Sequence, residues 1–171
     1  MSEFTGRVWE DFVVGEVIYH PFGRTVTRAD NQQLTLMTQN VAKIHLDADY
    51  CAGTAYGRPL VNSTLTLALV TGQSTVDLSM NVFANLGWDE VRTPVPVFEG
   101  DTIHSRSKIL SVRESSSRPT VGIVVVATEG YNQDGVVVIS FRRTFLVYRR
   151  GHVPAVASHR PDESSLPEVD A

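Results

Sequence analysis

The spacing of apolar and polar residues changes character twice along the chain. Behind Thr27 and Asp30, a capping box with Asp in place of Glu, the apolar residues Leu34, Leu36 and Met37 trace a rough helical face. They predict a helix over 28–39. Residues 40–58 mix Ala, Gly, Asp and Tyr and predict a long irregular connection, with a short helix near Asp47–Ala52. Connections of that kind are often functional. After the N-cap candidates Asn62 and Ser63, the run Leu65, Leu67, Ala68, Leu69 and Val70 predicts a helix over 64–78. It is apolar on nearly every side, which predicts full burial. Gly72 within it predicts close approach by another backbone.

Beyond residue 80 the period shortens to two. Strands are predicted over 82–88 with an extension at 90–92, and over 102–113, 120–132 and 136–148. Asp134-Gly135 marks a hairpin between the last two. In the final strand Val137, Ile139, Phe141, Arg143, Phe145 and Val147 form the face expected to meet the helix, with Arg143 its one polar member. Upstream, Glu16–His20 reads as a first strand ended by Pro21, and Arg24–Val26 as a continuation. The turn to Pro, Ser, Glu and Asp near the end predicts one domain over 1–149 and a disordered tail over 150–171. A long buried helix wrapped by an antiparallel sheet of about five strands is an α+β hotdog fold. Its open sheet edge predicts a homodimer or an assembly of dimers.

Composition narrows the partners. The 171 residues suit one domain, and a net charge of −4 without a basic stripe argues against nucleic acid. There is no apolar run of membrane-spanning length and no basic region followed by an apolar stretch at the N-terminus. No membrane association is expected, and the expected location is cytoplasmic. Cys51 is the single cysteine, which excludes an internal disulfide and suits a reducing compartment. The acids Asp47 and Asp49 beside it favour an inert thiol over a nucleophile. No phosphate loop, dinucleotide fingerprint, HExxH or paired-cysteine spacing is present, so neither a metal nor a cofactor is expected.

Candidate chemistry concentrates where the two helices meet. His45 follows the first helix in a polar segment, and a histidine's reference pKa near 6.5 suits it to moving protons. His20, His104, His152 and His159 lack supporting neighbours and read as structural or solvated. Asn40 fits a helix C-cap and a site residue equally well. Asn62-Ser63-Thr64 would cap a helix in any protein. Arg113 and Arg118 flank a serine-rich stretch that reads either as a solvated loop or as an oxyanion contact.

Three stretches carry a resemblance: TQNVAKIHLD at 38–47, GRPLVNS at 57–63 and VRTPVPVFEGDT at 91–102. Over about residues 10–148 the chain resembles the MaoC-like (R)-specific enoyl-CoA hydratase/dehydratase family of hotdog proteins. Its look is nearest to mesaconyl- and itaconyl-CoA hydratase-type members. The family motif runs roughly S-G-D-x-N-P-I-H-x-D. Aligned on the histidine, its acid falls on Asn40 and its histidine on His45, so the general-base carboxylate is replaced by a carboxamide. Where the family has His-Gly or Pro-Gly at the helix start, this chain has Asn62-Ser63. The resemblance implies reversible addition of water across the α,β double bond of an enoyl-CoA, with branched, dicarboxylic enoyl-CoAs as candidate substrates. It implies Asn40, His45 and Ser63 as catalytic residues: Asn40 holds the water, His45 moves its proton, and the Asn62 and Ser63 amides hold the thioester oxygen. Asp47 is an alternative acid. Asn62, Thr64, Lys43, Arg113 and Arg118 are the expected substrate contacts. The alternatives are a hotdog acyl-CoA thioesterase, for which Asp77 is the only carboxylate on the long helix, and a non-catalytic acyl-CoA-binding subunit.

Overall fold

The structure, a computed structural model, describes residues 5–155. After a short 3-10 turn at Trp9–Asp11 come β1 (Val17–Tyr19), β2 (Arg24–Thr25), α1 (Arg28–Met37), α2 (Lys43–Leu46), α3 (Ala48–Ala52) and α4 (Ser63–Gln73). A π-helical turn at Thr75–Ser79 leads to β3 (Val82–Arg92), β4 (Thr102–Glu114), β5 (Val121–Tyr131) and β6 (Val137–Tyr148). The six strands form one antiparallel sheet in the order β1-β4-β5-β6-β3, with the two-residue β2 also on β4. The sheet wraps α4, which is the hotdog arrangement. No helix among the described residues is long and apolar enough to cross a membrane.

One inner cluster lies under α4, where Val61, Val70, Val97, Ile103, Ile139 and Phe141 pack with Leu65, Leu67 and Leu69. A second lies under the π-helical turn, with Phe12, Leu78, Ile109, Val126, Phe145 and Val147. The inward face expected for β6 is present from Ile139 to Val147, but at its start Val138 takes the place expected for Val137, which lies with Tyr19, Arg106 and Tyr131 on the outer face. The β5–β6 ladder shifts between Gly130–Ile139 and Tyr131–Val137, so Val138 is left over and is buried beside Ile139. Arg143 is buried as that face requires. Its guanidinium donates to Asn85 Oδ1 (2.7 Å) and Ser74 Oγ (3.3 Å) at the C-terminal end of α4, where a cation suits the helix dipole. Burial pulls its pKa below the ordinary arginine value.

Four further expectations are corrected. The α-helix stops at Gln73, because Ser74 turns back onto Thr71 O and the chain continues as a π turn. Nor is α4 buried on every side: Thr66, Val70 and Gln73 are covered, whereas Ser63, Thr64, Ala68 and Gly72 are exposed. Gly72 meets nothing, and the close approach comes instead from Gly130 on β5, where an added Cβ would stand 2.5 Å from Val70 Cγ2. The tail does not begin at Arg150, whose guanidinium pairs with Asp11 (2.6 Å) and whose amide donates to Glu10 (2.9 Å). From residue 156 that expected tail lies outside the described residues. At this end of the helix Gln73 Nε2 donates to Ile103 O on the sheet (2.7 Å), and Asp77 faces it as well. His20, which is buried, bonds Asp77 (2.8 Å) and Ser107 (2.9 Å) there.

Candidate active site

The connection between α1 and α4 is ordered by side chains capping one another. The Thr27–Asp30 box starts α1, with Thr27 N–H donating to Asp30 (2.9 Å) and Asp30 N–H donating to Thr27 Oγ1 (3.2 Å). At its end Gln39 takes φ +58°, and the amides of Gln39 and Asn40 return to Leu36 O and Thr35 O. This is a Schellman turn whose left-handed position is Gln39, not Asn40. Asn40 Oδ1 accepts from Ala42 N–H (2.9 Å) and so sets the entry to α2. Asp47 accepts from Tyr50 N–H (2.9 Å) and caps α3. Cys51 is buried against the carbonyls of Lys43 and Ile44. Burial, and then Asp47, push its thiol pKa up, which fits a structural thiol.

A cavity of about 290 Å³ opens between α2, the N-terminus of α4 and the segment Thr93–Val97. His45, Tyr56, Ser63 and Thr66 line it with Leu60, Val61 and Val138. His45 Nδ1 lies 2.9 Å from Leu60 O. A carbonyl only accepts, so Nδ1 carries the hydrogen and Nε2 is left as a proton acceptor. At the start of α4, Asn62 is buried and caps the helix by accepting from Thr64 N–H (3.0 Å) and Thr64 Oγ1–H (2.7 Å). Its own amide donates to Asn31 Oδ1 (2.9 Å) and is not free for a ligand. Ser63 N–H has no acceptor among the described residues. The site therefore offers one helix N-terminal amide, backed by the helix dipole, together with one imidazole acceptor. Apart from His45, none of the lining residues bears an ionisable acid or base of the Asp, Glu, Lys or Arg type.

Of the residues predicted from sequence, the cavity brings together His45 and Ser63. Asn40 and Asp47 are occupied in turns and caps outside the lining, and Asn62 and Thr64 are engaged with each other. Lys43 is exposed, with its ammonium 5.7 Å from the Tyr50 ring. Arg118 lies 5.0 Å over Phe83, at the start of β3. Thr93–Val97 follow the other end of that strand, so Arg118 is on the order of 30 Å along the sheet from the cavity. Arg113, at the far end of β4, shares that distance. Sequence reasoning missed Arg58, which stands between the lining residues Tyr56 and Leu60 and lays its guanidinium 3.9 Å over Phe98. Its presence in the GRPLVNS stretch was the available signal. Asn31, buried behind the site, gave no signal, because it lies among polar neighbours on a weakly amphipathic helix.

The family model described as mesaconyl-CoA hydratase matches residues 2–170. A mesaconyl-CoA hydratase of Cereibacter sphaeroides is 31% identical over 163 residues, covering 95% of this chain and 47% of the relative. A β-methylmalyl-CoA dehydratase of Chloroflexus aurantiacus is 30% identical over 167 residues, covering 96% and 47%. Among solved structures, a putative MaoC domain protein dehydratase from Chloroflexus aurantiacus superposes with a TM-score of 0.83 at 29% identity, covering 95% of this chain and 46% of that one. The chain thus spans about half the length of the curated relatives it matches.

Proposed function

The chain belongs to the mesaconyl-CoA hydratase family, and on that premise we propose that it is an enoyl-CoA hydratase acting on a branched, dicarboxylic enoyl-CoA. The observation that carries this reading is the pairing of His45 and the free Ser63 amide on one cavity. In hydration, the thioester oxygen lies against Ser63 N–H at the positive end of α4. His45 Nε2 takes a proton from water as the oxygen bonds to the β carbon. Electron density moves to the thioester oxygen as an enolate, and the imidazolium then returns the proton to the α carbon. Water is consumed whole and no redox partner is required, so no cofactor beyond the CoA thioester is assigned. Asn40 shapes the turn that presents His45 from outside the cavity lining. That leaves the family's carboxylate without a substitute in the cavity lining.

Arg58 is the cation we assign to the substrate's anionic groups. Lys43 instead holds its ammonium 5.7 Å from the Tyr50 ring on α3. The assembly proposed is a homodimer built on β3, an eleven-residue edge strand with Phe83, Leu86, Trp88 and Val91 exposed, next to the uncovered side of α4. Antiparallel pairing of two β3 strands sets the start of one beside the end of the other. In that arrangement Arg113 and Arg118 of one copy approach the other copy's cavity. A buried unpaired thiol such as Cys51 is consistent with the cytoplasm, where we place the protein.

The thioesterase alternative needs a carboxylate at the reacting carbonyl, and Asp77 is bonded to His20 away from the cavity. The non-catalytic alternative is favoured by the absence of a carboxylate in the lining. One variant decides: His45→Ala in the purified chain is expected to abolish loss of enoyl-thioester absorbance while leaving the fold unchanged. Retained hydration refutes the mechanism, and CoA binding without turnover by the unaltered chain supports the non-catalytic reading.

A further inference from the structure

Asn31 is wholly buried on α1 and is not itself a lining residue of the cavity, yet it bonds to each chain segment that builds the cavity's reactive corner. Its Oδ1 accepts the Asn62 amide (2.9 Å). Its Nδ2 faces Leu60 O (3.1 Å), His45 O (3.3 Å) and, more distantly, Glu99 Oε1 (3.4 Å). The amide orientation is unambiguous, because a flip would set its oxygen against three acceptors. Leu60 O is also the acceptor for His45 Nδ1–H (2.9 Å).

From this we infer that Asn31 is the positioning residue of the reaction: one buried carboxamide fixes both the proton acceptor and the oxyanion donor. It holds His45 from two sides, through the histidine's own carbonyl and through the carbonyl that receives the ring hydrogen. By taking the Asn62 amide it holds the residue immediately before Ser63, and it leaves Ser63 N–H as the unpaired amide at the helix start. No other side chain does both. Asp lacks the donors unless protonated, Leu offers neither group, and Gln carries an extra methylene that a wholly buried site cannot accept. An apolar residue would fill the same space but would leave the buried Asn62 N–H and the His45 carbonyl without this partner.

The inference rests on the hydratase reading for its kinetic consequence, but its geometric half can be tested without turnover. Long-range proton–nitrogen NMR of His45 in the full chain reads the tautomer directly. The Nδ1–H form is expected in the wild type. In Asn31→Leu it is expected to give way to a mixture. In the hydration assay the same variant is expected to lose roughly 10–100-fold in kcat with KM changed less than about threefold, as for a misplaced catalytic group. Asn31→Asp separates positioning from mere packing. Its carboxyl would face Leu60 O, His45 O and Glu99, with Asp30 of the same helix turned away onto Thr27 and Arg24. Protonation restores one donor, so the variant's kcat relative to wild type should rise as pH falls from 8 to 6, whereas a packing defect gives a constant ratio. An Nε2–H tautomer in the wild type overturns the proposal. So does a folded Asn31→Leu protein with an unchanged His45 tautomer, or a pH-independent ratio for Asn31→Asp. If the wild type hydrates nothing, the hydratase reading fails while the tautomer result still decides the role of Asn31.

Discussion

Gly130 sets how closely the helix that carries the candidate oxyanion donor can sit on the sheet. A methyl group there would lie 2.5 Å from Val70 Cγ2 and 2.7 Å from Ile139 Cγ2. Carbon atoms pack best at about 3.5–4.0 Å, so the overlap is on the order of 1 Å with each neighbour. Neither neighbour can yield easily. Both are completely buried, and both are β-branched with one strongly preferred χ1. Gly130 has an ordinary strand conformation, so alanine adds no backbone strain, and its smaller unfolded-state entropy returns about 1 kcal/mol at most. Overpacking should dominate, at roughly 1–3 kcal/mol, and lower Tm by about 3–10 °C for a domain of this size. Relief should come through α4, which must lift to accommodate the methyl group. Because Ser63 begins that helix, a displacement approaching 1 Å should cost roughly 10–100-fold in kcat even in the folded protein. The assay is denaturant unfolding of Gly130→Ala, of Val70→Ala and of the double variant, with activity measured on each. Val70→Ala alone leaves a cavity and should cost about 2 kcal/mol. Together the two should cost at least about 1 kcal/mol less than their sum, because the new methyl group fills the vacated space. Wild-type stability in Gly130→Ala, or strict additivity, refutes the reasoning.

Other outcomes follow from single contacts. Ser63→Pro removes the unpaired amide at the first helical position, where proline is well tolerated. The φ −59° and ψ 126° of Asn62 already suit a residue before proline. The variant should melt close to wild type and lose roughly 100–1000-fold in kcat, and a kcat near wild type in steady-state assays contradicts the oxyanion assignment. Arg58→Gln should raise KM for dicarboxylic and simple enoyl-CoAs alike if the guanidinium holds CoA phosphates, and only for the dicarboxylic ones if it holds the second carboxylate. An unchanged KM for both classes removes Arg58 from the site. The Arg7 fork bonds Glu16 at 2.7 and 2.8 Å and holds its carboxyl below the usual range. That depression stabilises the fold above the unfolded-state carboxyl pKa, near 4.3, and is lost as pH falls through the folded-state value. Glu16→Gln should therefore cost up to about 1 kcal/mol at pH 7, and that cost should vanish as pH falls through the folded-state value, as read by unfolding at a series of pH values.

The fold was legible because periodicity carries it. Every predicted strand and both main helices appear close to their expected bounds, apart from the early end of α4, and even the buried Arg143 was placed on the inward face of β6. Local chemistry misled where a contact depends on the opposite layer. Gly72 and Gly130 look alike in sequence, and only the position of Val70 distinguishes the exposed one from the one beneath the helix. The apolar run of α4 reads as complete burial, yet a single chain covers one side of it. Hydrophobicity records that a surface is covered without recording whether the cover belongs to the same chain. In the site, His45 and Ser63 were accessible through motif position. The commitment of the Asn62 amide to Asn31 was not, because hydrogen bonding between residues thirty-one positions apart leaves no local pattern. Arg118 shows the same limit, since its separation from the cavity is set by the length of β3.

The measurement that bears most directly on the central claim is hydration of mesaconyl-, itaconyl- and crotonyl-CoA by the unmodified chain, followed as loss of the conjugated thioester absorbance with free thiol monitored in parallel. The account predicts turnover on a dicarboxylic member of the panel without thiol release, and its disappearance in His45→Ala. No absorbance loss on any of the three by protein that still binds CoA, or loss accompanied by stoichiometric thiol, would contradict it.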